Sequence, residues 1–201
     1  DIVRVCQIAL KHSVTLHVDA AQAIGKTAQI REIGLIDYLS VSAHKVNGPQ
    51  GVGALIVKSG RPVAALLKGG PQEAGRRAGT ENLPGIAGFG AAAKIRSSGL
   101  PEFLEHVQNL REKFEALILG SVAAVKVNGI GAPRSGGITN LQFDGIDGQG
   151  LVARLDQKGI YCSQSSACTN ARPDHRLAQR EALEHGQGRV FVPLRWHHHA
   201  A

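Results

Sequence analysis

The chain has 201 residues and a formal net charge of +7, with 43% hydrophobic and 4% aromatic residues. A chain of this length and hydrophobicity can bury a substantial core, as one domain or as two small ones. No apolar run approaches the length of a membrane span and no signal-peptide pattern opens the chain, so we expect a cytoplasmic protein with no membrane partner. The basic residues are scattered and the aromatic residues too few for stacking platforms, which argues against nucleic acid as a partner.

The first half of the chain alternates between helical and extended patterns. Apolar residues at helical spacing predict a helix over residues 2–12, and the run that follows predicts a buried strand at residues 14–18. Further strands are predicted at residues 38–42 and 54–57, on either side of a glycine-rich turn. Because a helix leads directly into the first strand, we expect the chain to open in mid-fold. Residues 69–85 have little periodic apolar content and are predicted to form a functional or interface loop.

The second half is predicted to form a smaller domain. The predicted connection to it is a Gly/Ala-rich helix from residue 86 through residue 93, an interruption at residues 97–101, and a second helix over residues 102–119. The remaining predicted elements are strands at 123–127, 138–143 and 160–163 and helices at 149–158 and 175–183. This alternation favours an α/β architecture.

Lys45 lies just past the end of a predicted strand, with His44 before it and glycines after it. Such a lysine can present its amine into a crevice, as a Schiff-base lysine must. Upstream, the strand at 14–18 delivers Asp19 and Gln22 to its carboxyl end, where open α/β sheets bind ligands. Taken singly, Lys45 could be a solvated lysine in a turn and Asp19 a helix cap.

Four motifs, taken with their joint spacing, give the chain a specific resemblance. They are HVDAAQ at residues 17–22, SAHK at 42–45, GGPQE at 69–73 and RRAGTEN at 76–82. Together they resemble the cysteine desulfurases, which are enzymes of the class V aminotransferase type that depend on pyridoxal 5'-phosphate. The resemblance runs from about residue 1 to Pro173. It implies an α/β fold consisting of part of the large domain of the aspartate-aminotransferase-like (fold type I) architecture and a smaller α/β C-terminal domain.

The resemblance implies three segments with different roles. Residues 1–85 would be the C-terminal part of the large cofactor-binding domain, and residues 86–119 the connecting helices. Residues 120–201 would form the small domain that carries a cysteine loop.

The resemblance also implies a role for each residue of the cofactor site. Asp19 would keep the pyridine nitrogen protonated, and Gln22 would donate to the phenolate oxygen of the ring. Lys45 would form the Schiff base with the cofactor. Ser42 and His44 would lie beside the phosphate, although His44 could instead simply pack under the turn.

A second subunit is implied by the loop that follows. Thr80 matches the position that reaches the phosphate of the neighbouring subunit, so the resemblance implies a homodimer. Arg76 and Arg77 could bind that phosphate or could be solvated, and the sequence leaves both open.

Cys168 lies in the small, polar segment SSACTN at residues 165–170, which favours an exposed nucleophile over a core cysteine. By resemblance it would take sulfur from L-cysteine as a persulfide, releasing L-alanine, and pass the sulfur to an acceptor such as an iron-sulfur scaffold protein. Cys6, on the apolar face of a helix, is predicted to be core. Cys162 is predicted to be core on a strand, with a sulfur-relay role as the alternative. An odd number of cysteines without a Cys-x-x-Cys pattern indicates a reduced compartment and no metal site.

Three departures from the family pattern limit the expectations. Family members have about half of the large domain ahead of the position of Asp1, and Pro71 and Ala74 replace residues that are usually glycine and arginine. Arg189 is the best match to the arginine that binds the substrate carboxylate, with Arg195 second, and Pro193 argues against a central strand there. We therefore expect a fragment that lacks the N-terminal part, binds cofactor weakly or not at all, and turns over no cysteine by itself.

Alternative functions stay open at this point. A selenocysteine lyase is the alternative within the same family, and an aminotransferase or decarboxylase is a more remote one. A non-catalytic fragment that serves as a partner-binding module is the alternative from another class. The histidines at 197–199 are interpreted as an unstructured tail rather than a metal-binding tract.

Overall fold

The computed structural model describes residues 1–28 and 34–164, together with the backbone of residues 188–193. The chain divides into two units, Asp1–Leu100 and Pro101–Ala201. Across the described ranges, none of the helices combines the length and the apolar character needed to cross a bilayer.

The first helix, α1 (Ile2–Lys11), confirms the helix predicted over residues 2–12. Its N-cap is Asp1, whose side chain accepts hydrogen bonds from the backbone N–H groups of Val3 (3.0 Å) and Arg4 (3.3 Å). Cys6, predicted to be core, is 2% exposed and lies in the core of this unit.

The end of α1 explains why the next strand starts later than predicted. Ser13 takes a left-handed backbone conformation with φ of 53°, and the N–H of Val14 donates to the carbonyl oxygen of Ala9 (2.9 Å). Because Val14 serves the helix C-terminus and is exposed, it does not join the sheet. The predicted strand at 14–18 is therefore wrong in its bounds, and β1 covers His17–Asp19.

Among the described residues of the first unit, three strands form a sheet in the order β1-β2-β3. β2 (Tyr38–Ser42) pairs with β1 in parallel, and β3 (Gly53–Val57) pairs with β2 antiparallel. Both agree closely with the predicted strands at 38–42 and 54–57. The register places Asp19 beside Ser40, and Ser42 opposite Gly53.

The two faces of this sheet differ in polarity. Side chains alternate between faces along a strand, so Val18, Leu39 and Val41 point to one face, where they join the core with Cys6 and Ala20. The opposite face receives the polar residues of β1 and β2, which are His17, Asp19, Ser40 and Ser42. The polar groups of the candidate site therefore share one side of the sheet.

The helix α2 (Leu83–Ser98) begins three residues before the predicted start. Asn82 caps it, because its side-chain oxygen accepts a hydrogen bond from the backbone N–H of Gly85 (3.1 Å), and Pro84 occupies the first turn. An Asn followed closely by a Pro is a sequence signal for the start of a helix. It indicates the start of α2 even though this helix lacks a strong apolar face.

The second unit contains α3 (Leu100–Ser121), which begins at the division between the units, and α4 (Gly148–Asp156). Its strands β4 (Val125–Val127), β5 (Ile138–Phe143) and β6 (Gly188–Pro193) form an antiparallel sheet in the order β4-β5-β6. Pro193 ends β6, which pairs only with β5 in the described sheet. This agrees with the expectation that Pro193 does not lie in a central strand.

The strand predicted at residues 160–163 is wrong. Residues 160–162 have no regular structure, and Ser163 forms an isolated bridge. The N–H of Ile160 donates to the carbonyl oxygen of Leu155 (2.9 Å), so this residue still belongs to the turn that ends α4. Cys162 is therefore half-buried outside a strand rather than in the core. The predicted helix at 175–183 and the histidines at 197–199 lie outside the described residues.

A buried charged cluster joins α3 to the sheet of the second unit. Glu115 on α3 accepts two hydrogen bonds from the guanidinium group of Arg134 (2.7 and 2.9 Å) and one from the hydroxyl group of Thr139 on β5. These hydrogen bonds, chiefly that of Arg134, hold the pKa of the Glu115 carboxyl group below its usual value. A buried carboxylate of this kind is stable because its partners replace the water it has lost.

Candidate active site

The parallel pair β1 and β2 brings two of the sequence motifs to the same edge of the sheet. Asp19 ends β1, and Ser42 ends β2 two residues beyond Ser40, the partner of Asp19 in the register. The N–H of Ala20 donates to the carbonyl oxygen of Ser40 (2.8 Å), which extends the parallel pairing past the end of β1. Parallel strands present their carboxyl ends at the same edge of a sheet. Asp19 therefore lies next to the start of the segment that follows Ser42.

Asp19 combines a local structural role with an available oxygen. Its Oδ1 atom accepts a hydrogen bond from the backbone N–H of Ala21 (3.0 Å), so it does cap the turn that follows β1. Its other carboxylate oxygen accepts no hydrogen bond from the described part of the chain, and the side chain is exposed. The capping role and a binding role are therefore compatible.

A tight 3-10 turn, Ala43–Val46, follows β2 and carries His44 and Lys45. Ala43 and Val46 are buried and anchor the turn, since residues three apart lie on one side of a 3-10 helix. His44 is exposed and Lys45 is half-buried, so both extend away from the core.

Asn47 and Gly48 close this turn. Asn47 is in the left-handed conformation, and the N–H of Gly48 donates to the carbonyl oxygen of Ala43 (2.9 Å). A Cβ atom at Gly48 would lie 3.0 Å from that same oxygen, which is a close contact with rigid backbone. The glycine therefore permits the turn that presents Lys45.

Ser42 and His44 form a hydrogen-bonded pair within this turn. The Oγ atom of Ser42 and the Nδ1 atom of His44 are 2.8 Å apart. The pairing places a hydroxyl group and an imidazole ring together beside the backbone of the turn. One donor hydrogen is used within the pair, so a neutral imidazole leaves one donor, the Nε2–H of His44 or the hydroxyl group of Ser42, for an anion such as a phosphate.

Gln22 lies in the turn of residues 20–26 that follows Asp19. Its Oε1 atom accepts a hydrogen bond from the Nζ atom of Lys26 (2.9 Å), and its side chain is exposed. Lys26 was not among the predicted site residues. The four-residue spacing in a helical turn is the sequence signal that could have identified it.

A second pair missed by the sequence analysis lies on the polar face of the sheet. The Nε2 atom of His17 and the Oγ atom of Ser40 are 2.7 Å apart. The rings of His17 and Tyr38 are nearly perpendicular, at 86°, with centroids 6.4 Å apart. The alternation of polar and apolar residues in both strands predicts that these groups share a face. The sequence does not show the register that pairs them.

The loop before α2 contains Thr80, Arg76 and Arg77, all exposed. Arg77 donates to the carbonyl oxygen of its neighbour Ala78 (2.8 Å). Ala74, one of the departures from the family pattern, takes a left-handed backbone conformation with φ of 55°. A non-glycine residue in this conformation is strained by about 1–2 kcal/mol.

The remaining predicted site residues are only partly described. The backbone of Arg189 lies in β6 opposite Gln142 of β5. Cys168 and Arg195 lie outside the described residues. Their predicted roles stay predictions.

Comparison with known proteins defines the class of protein that this fold and site represent. Residues 1–186 match the family described as Aminotransferase class-V, so the chain belongs to the class V aminotransferase family. Within the family it is similar to the cysteine desulfurase of Klebsiella pneumoniae, with 43% identity over 171 residues that cover 84% of this chain and 43% of the relative. A cysteine desulfurase of Sinorhizobium fredii is 42% identical over 169 residues, which cover 84% of this chain and 44% of that relative.

A solved structure supports the same assignment. The NifS-like protein from Rickettsia africae superposes with a TM-score of 0.82 at 27% identity, covering 96% of this chain and 51% of that chain. The resemblance to cysteine desulfurases and the predicted fold type I architecture are thus confirmed. The chain spans less than half the length of the curated relatives it matches.

Enzymes of this family use pyridoxal 5'-phosphate, as predicted, and the donor set at the sheet edge fits that cofactor. Asp19 offers a carboxylate for a pyridinium nitrogen, and Gln22 an amide for a phenolate oxygen. Lys45 offers an amine for an aldehyde carbon, and the Ser42–His44 pair offers a donor for a phosphate. Each polar part of the cofactor therefore has a group of matching chemistry at this edge.

Proposed function

We propose that this chain forms part of a cysteine desulfurase, which removes sulfur from L-cysteine to give L-alanine and a persulfide on the enzyme. The similarity to curated cysteine desulfurases supports the reaction, and none of the relatives reported above carries another activity in its name. The alternatives of a selenocysteine lyase and of a non-catalytic binding module are accordingly not favoured.

One observation carries the proposal for this chain. The parallel register of β1 and β2 places Asp19 beside the segment that carries Ser42, His44 and Lys45. A carboxylate, a lysine and a phosphate-type donor pair at one sheet edge match the cofactor's chemistry better than any single motif does.

Each residue of the site has a definite task in this proposal. Bound pyridoxal phosphate supplies an electron sink for the Cα atom of the substrate. Asp19 holds a proton on the ring nitrogen, and Ser42 with His44 holds the phosphate. Lys45 would hold the aldehyde carbon of the cofactor, and its amine would accept the Cα proton of the substrate.

Cys168 and Arg189 complete the assignment on the strength of the resemblance. Arg189, or Arg195 in its place, binds the carboxylate of L-cysteine. The thiolate of Cys168 attacks the substrate sulfur, so that an S–S bond forms and the C–S bond breaks. The electron pair of the broken bond stays with the Cβ atom of the substrate, which gains a proton. The Cα atom regains the proton held by Lys45, and the product leaves as L-alanine.

The wider setting of the protein is part of the same proposal. Thr80 would reach the phosphate bound by a second copy of the chain in a homodimer, and the acceptor of sulfur would be a protein such as an iron-sulfur scaffold. Cytoplasmic location fits the use of free thiols. Residues 1–85 would belong to the large cofactor-binding domain, residues 86–119 to the connecting helices and residues 120–201 to the small domain.

Because groups that match each polar part of the cofactor lie within this chain, we expect weak but measurable uptake of pyridoxal phosphate by the 201 residues alone. Reduction with borohydride in the presence of the cofactor tests the proposal. Peptide mapping is expected to find the pyridoxyl label on Lys45 at cofactor concentrations that leave the exposed Lys94 unlabelled. A Lys45→Arg variant should lose this label, and Lys94→Arg, on the exposed surface of α2, serves as the matched control. Saturable labelling of a lysine other than Lys45 would contradict the assignment.

A further inference from the structure

We propose that Lys26 is a positioning residue, which fixes the side-chain amide of Gln22 so that its Nε2 atom is offered to the phenolate oxygen of pyridoxal phosphate. This inference rests on the proposed function, because it concerns how the cofactor is held. It assigns a role to a residue that the motif comparison left without one.

The chemistry of the Lys26–Gln22 contact determines which end of the amide is occupied. The Nζ atom of Lys26 lies 2.9 Å from the Oε1 atom of Gln22. An ammonium group has three donors and no acceptor, so only the carbonyl end of an amide can pair with it. The NH₂ end of Gln22 is therefore left on the other arm of the amide plane.

The local backbone keeps the two side chains on one side of a helical turn. Ala20 is fully buried, and its carbonyl oxygen accepts hydrogen bonds from the N–H groups of Ala23 (3.0 Å) and Ile24 (2.9 Å). The N–H of Lys26 donates to the carbonyl oxygen of Ala23 (3.0 Å). Side chains four residues apart are neighbours on such a turn, which brings Lys26 to Gln22.

The end of the turn is held in place by its neighbours in the first unit. Gly25 takes the left-handed conformation with φ of 64°, and a Cβ atom added there would lie 2.4 Å from the Cγ atom of Arg96 on α2 and 3.0 Å from a methyl carbon of Val46. The backbone just before Lys26 is therefore packed closely against α2 and the turn of Lys45.

A fixed amide matters because the glutamine side chain is otherwise symmetric in shape. Its oxygen and nitrogen ends can exchange by rotation, and the oxygen end would repel a phenolate anion. Fixing the nitrogen end before the cofactor binds removes part of the ordering cost of binding. The positive charge on Lys26 also polarises the amide toward donation.

Titration of the 201-residue chain with pyridoxal phosphate, followed by absorbance, tests the inference. We expect Lys26→Met to weaken the Kd by about fivefold to tenfold, the usual size of one hydrogen bond in binding. Lys26→Arg should restore most of this loss, because a guanidinium group also only donates. Lys94→Met is the control for removing a surface charge, and thermal melts establish that each variant folds.

Two further measurements separate positioning from a general structural effect. Combined with Gln22→Ala, the Lys26→Met substitution should weaken binding no further, since the two residues act as one unit. With 3-deoxypyridoxal phosphate, which lacks the phenolate oxygen, wild type and Lys26→Met should bind equally. Equal losses with both ligands, or a loss that persists without Gln22, would overturn the inference.

Nuclear magnetic resonance of the Gln22 side-chain amide gives a readout that needs no cofactor. Its NH₂ resonances should shift in Lys26→Met and stay unchanged in Lys94→Met. If the Gln22 NH₂ resonances are unchanged in Lys26→Met, the inference about Lys26 is overturned, while the proposed function is unaffected. A different outcome is that the wild-type chain takes up no pyridoxal phosphate and Lys45 stays unlabelled. That outcome contradicts both the proposed function of this chain and the cofactor role of Lys26.

Discussion

The Nε atom of Arg61 lies 2.7 Å from the Oδ1 atom of Asp37, which joins the segment after β3 to the residue that precedes β2. The other carboxylate oxygen of Asp37 accepts a hydrogen bond from the N–H of Leu16 (2.9 Å), just before β1. Asp37 is 4% exposed. The carboxylate of Asp37 thus links chain segments that adjoin β1, β2 and β3.

Substitution of Asp37 by alanine is expected to destabilise the first unit, because it leaves the N–H of Leu16 without its acceptor and Arg61 without its partner. The loss should appear as a lower midpoint of thermal unfolding by several degrees. Glu73→Ala, at an exposed carboxylate in the loop before α2, is the control and should change the midpoint little. Equal midpoints for the two variants would show that the link contributes no stability.

The stability of the chain should fall in mild acid. The pKa of Asp37 is lowered, chiefly by the hydrogen bond from Leu16 and also by Arg61, and that of Glu115 is lowered chiefly by Arg134. Because each carboxyl group binds protons more weakly in the folded than in the unfolded chain, its contribution is complete above the unfolded pKa and is lost as pH falls through the folded one. Urea unfolding between about pH 6 and pH 3 measures this loss.

A double variant supplies the control for that pH dependence. Asp37→Asn with Glu115→Gln should be less stable near neutral pH and should show a shallower decline in acid. A decline as steep as that of the wild type would assign the acid sensitivity to other carboxyl groups.

Two glycines with left-handed backbones should respond differently to alanine. Gly60 has φ of 82° with open space around it, so Gly60→Ala should cost about 1–2 kcal/mol of conformational strain alone. Gly25→Ala adds a clash with Arg96 and should cost about 1–3 kcal/mol more, the usual range for overpacking. Chemical denaturation of both variants measures the difference, and equal costs would mean that Arg96 moves aside freely.

Cys162 should react slowly with alkylating reagents. Burial, and to a smaller extent the negative charge of Asp156, raise the pKa of its thiol group above the usual value. Little thiolate is then present near pH 8, and the thiolate is the reactive form. Asp156→Asn is expected to speed iodoacetamide labelling of Cys162 by up to about threefold, with Glu102→Gln as the control. Labelling that is unaffected by Asp156→Asn would contradict the electrostatic contribution.

Cys168→Ser tests the predicted persulfide site. The variant is compared with the wild type in a preparation whose wild-type form converts L-cysteine to L-alanine. The rate of L-alanine formation should fall by about a thousandfold or more, because the attacking thiolate is absent. Cofactor absorbance should be nearly unchanged, since Cys168 acts after the cofactor is bound. Cys162→Ser is the matched control, and undiminished turnover in Cys168→Ser would rule out its assigned role.

The sequence alone determined the family, the location of the cofactor motifs and most of the regular elements. These features are local: motif spacing, helical periodicity in α1 and α3, and alternation in β2 and β5 are written in residues near one another. The core position of Cys6 follows in the same way from the apolar face of its helix. The errors at Val14 and at residues 160–162 arose where helix-ending hydrogen bonds took the backbone groups that a strand would need.

Only the tertiary structure determined which polar groups meet. The pairing of His17 with Ser40 and the link from Asp37 to Arg61 depend on strand register and on chain segments more than 20 residues apart. Register is set by burial of one face of the sheet against the core, and this is a property of the folded chain as a whole. The contact between Lys26 and Gln22 is close in sequence, but it forms because buried Ala20 and the packed backbone at Gly25 hold their turn in one conformation.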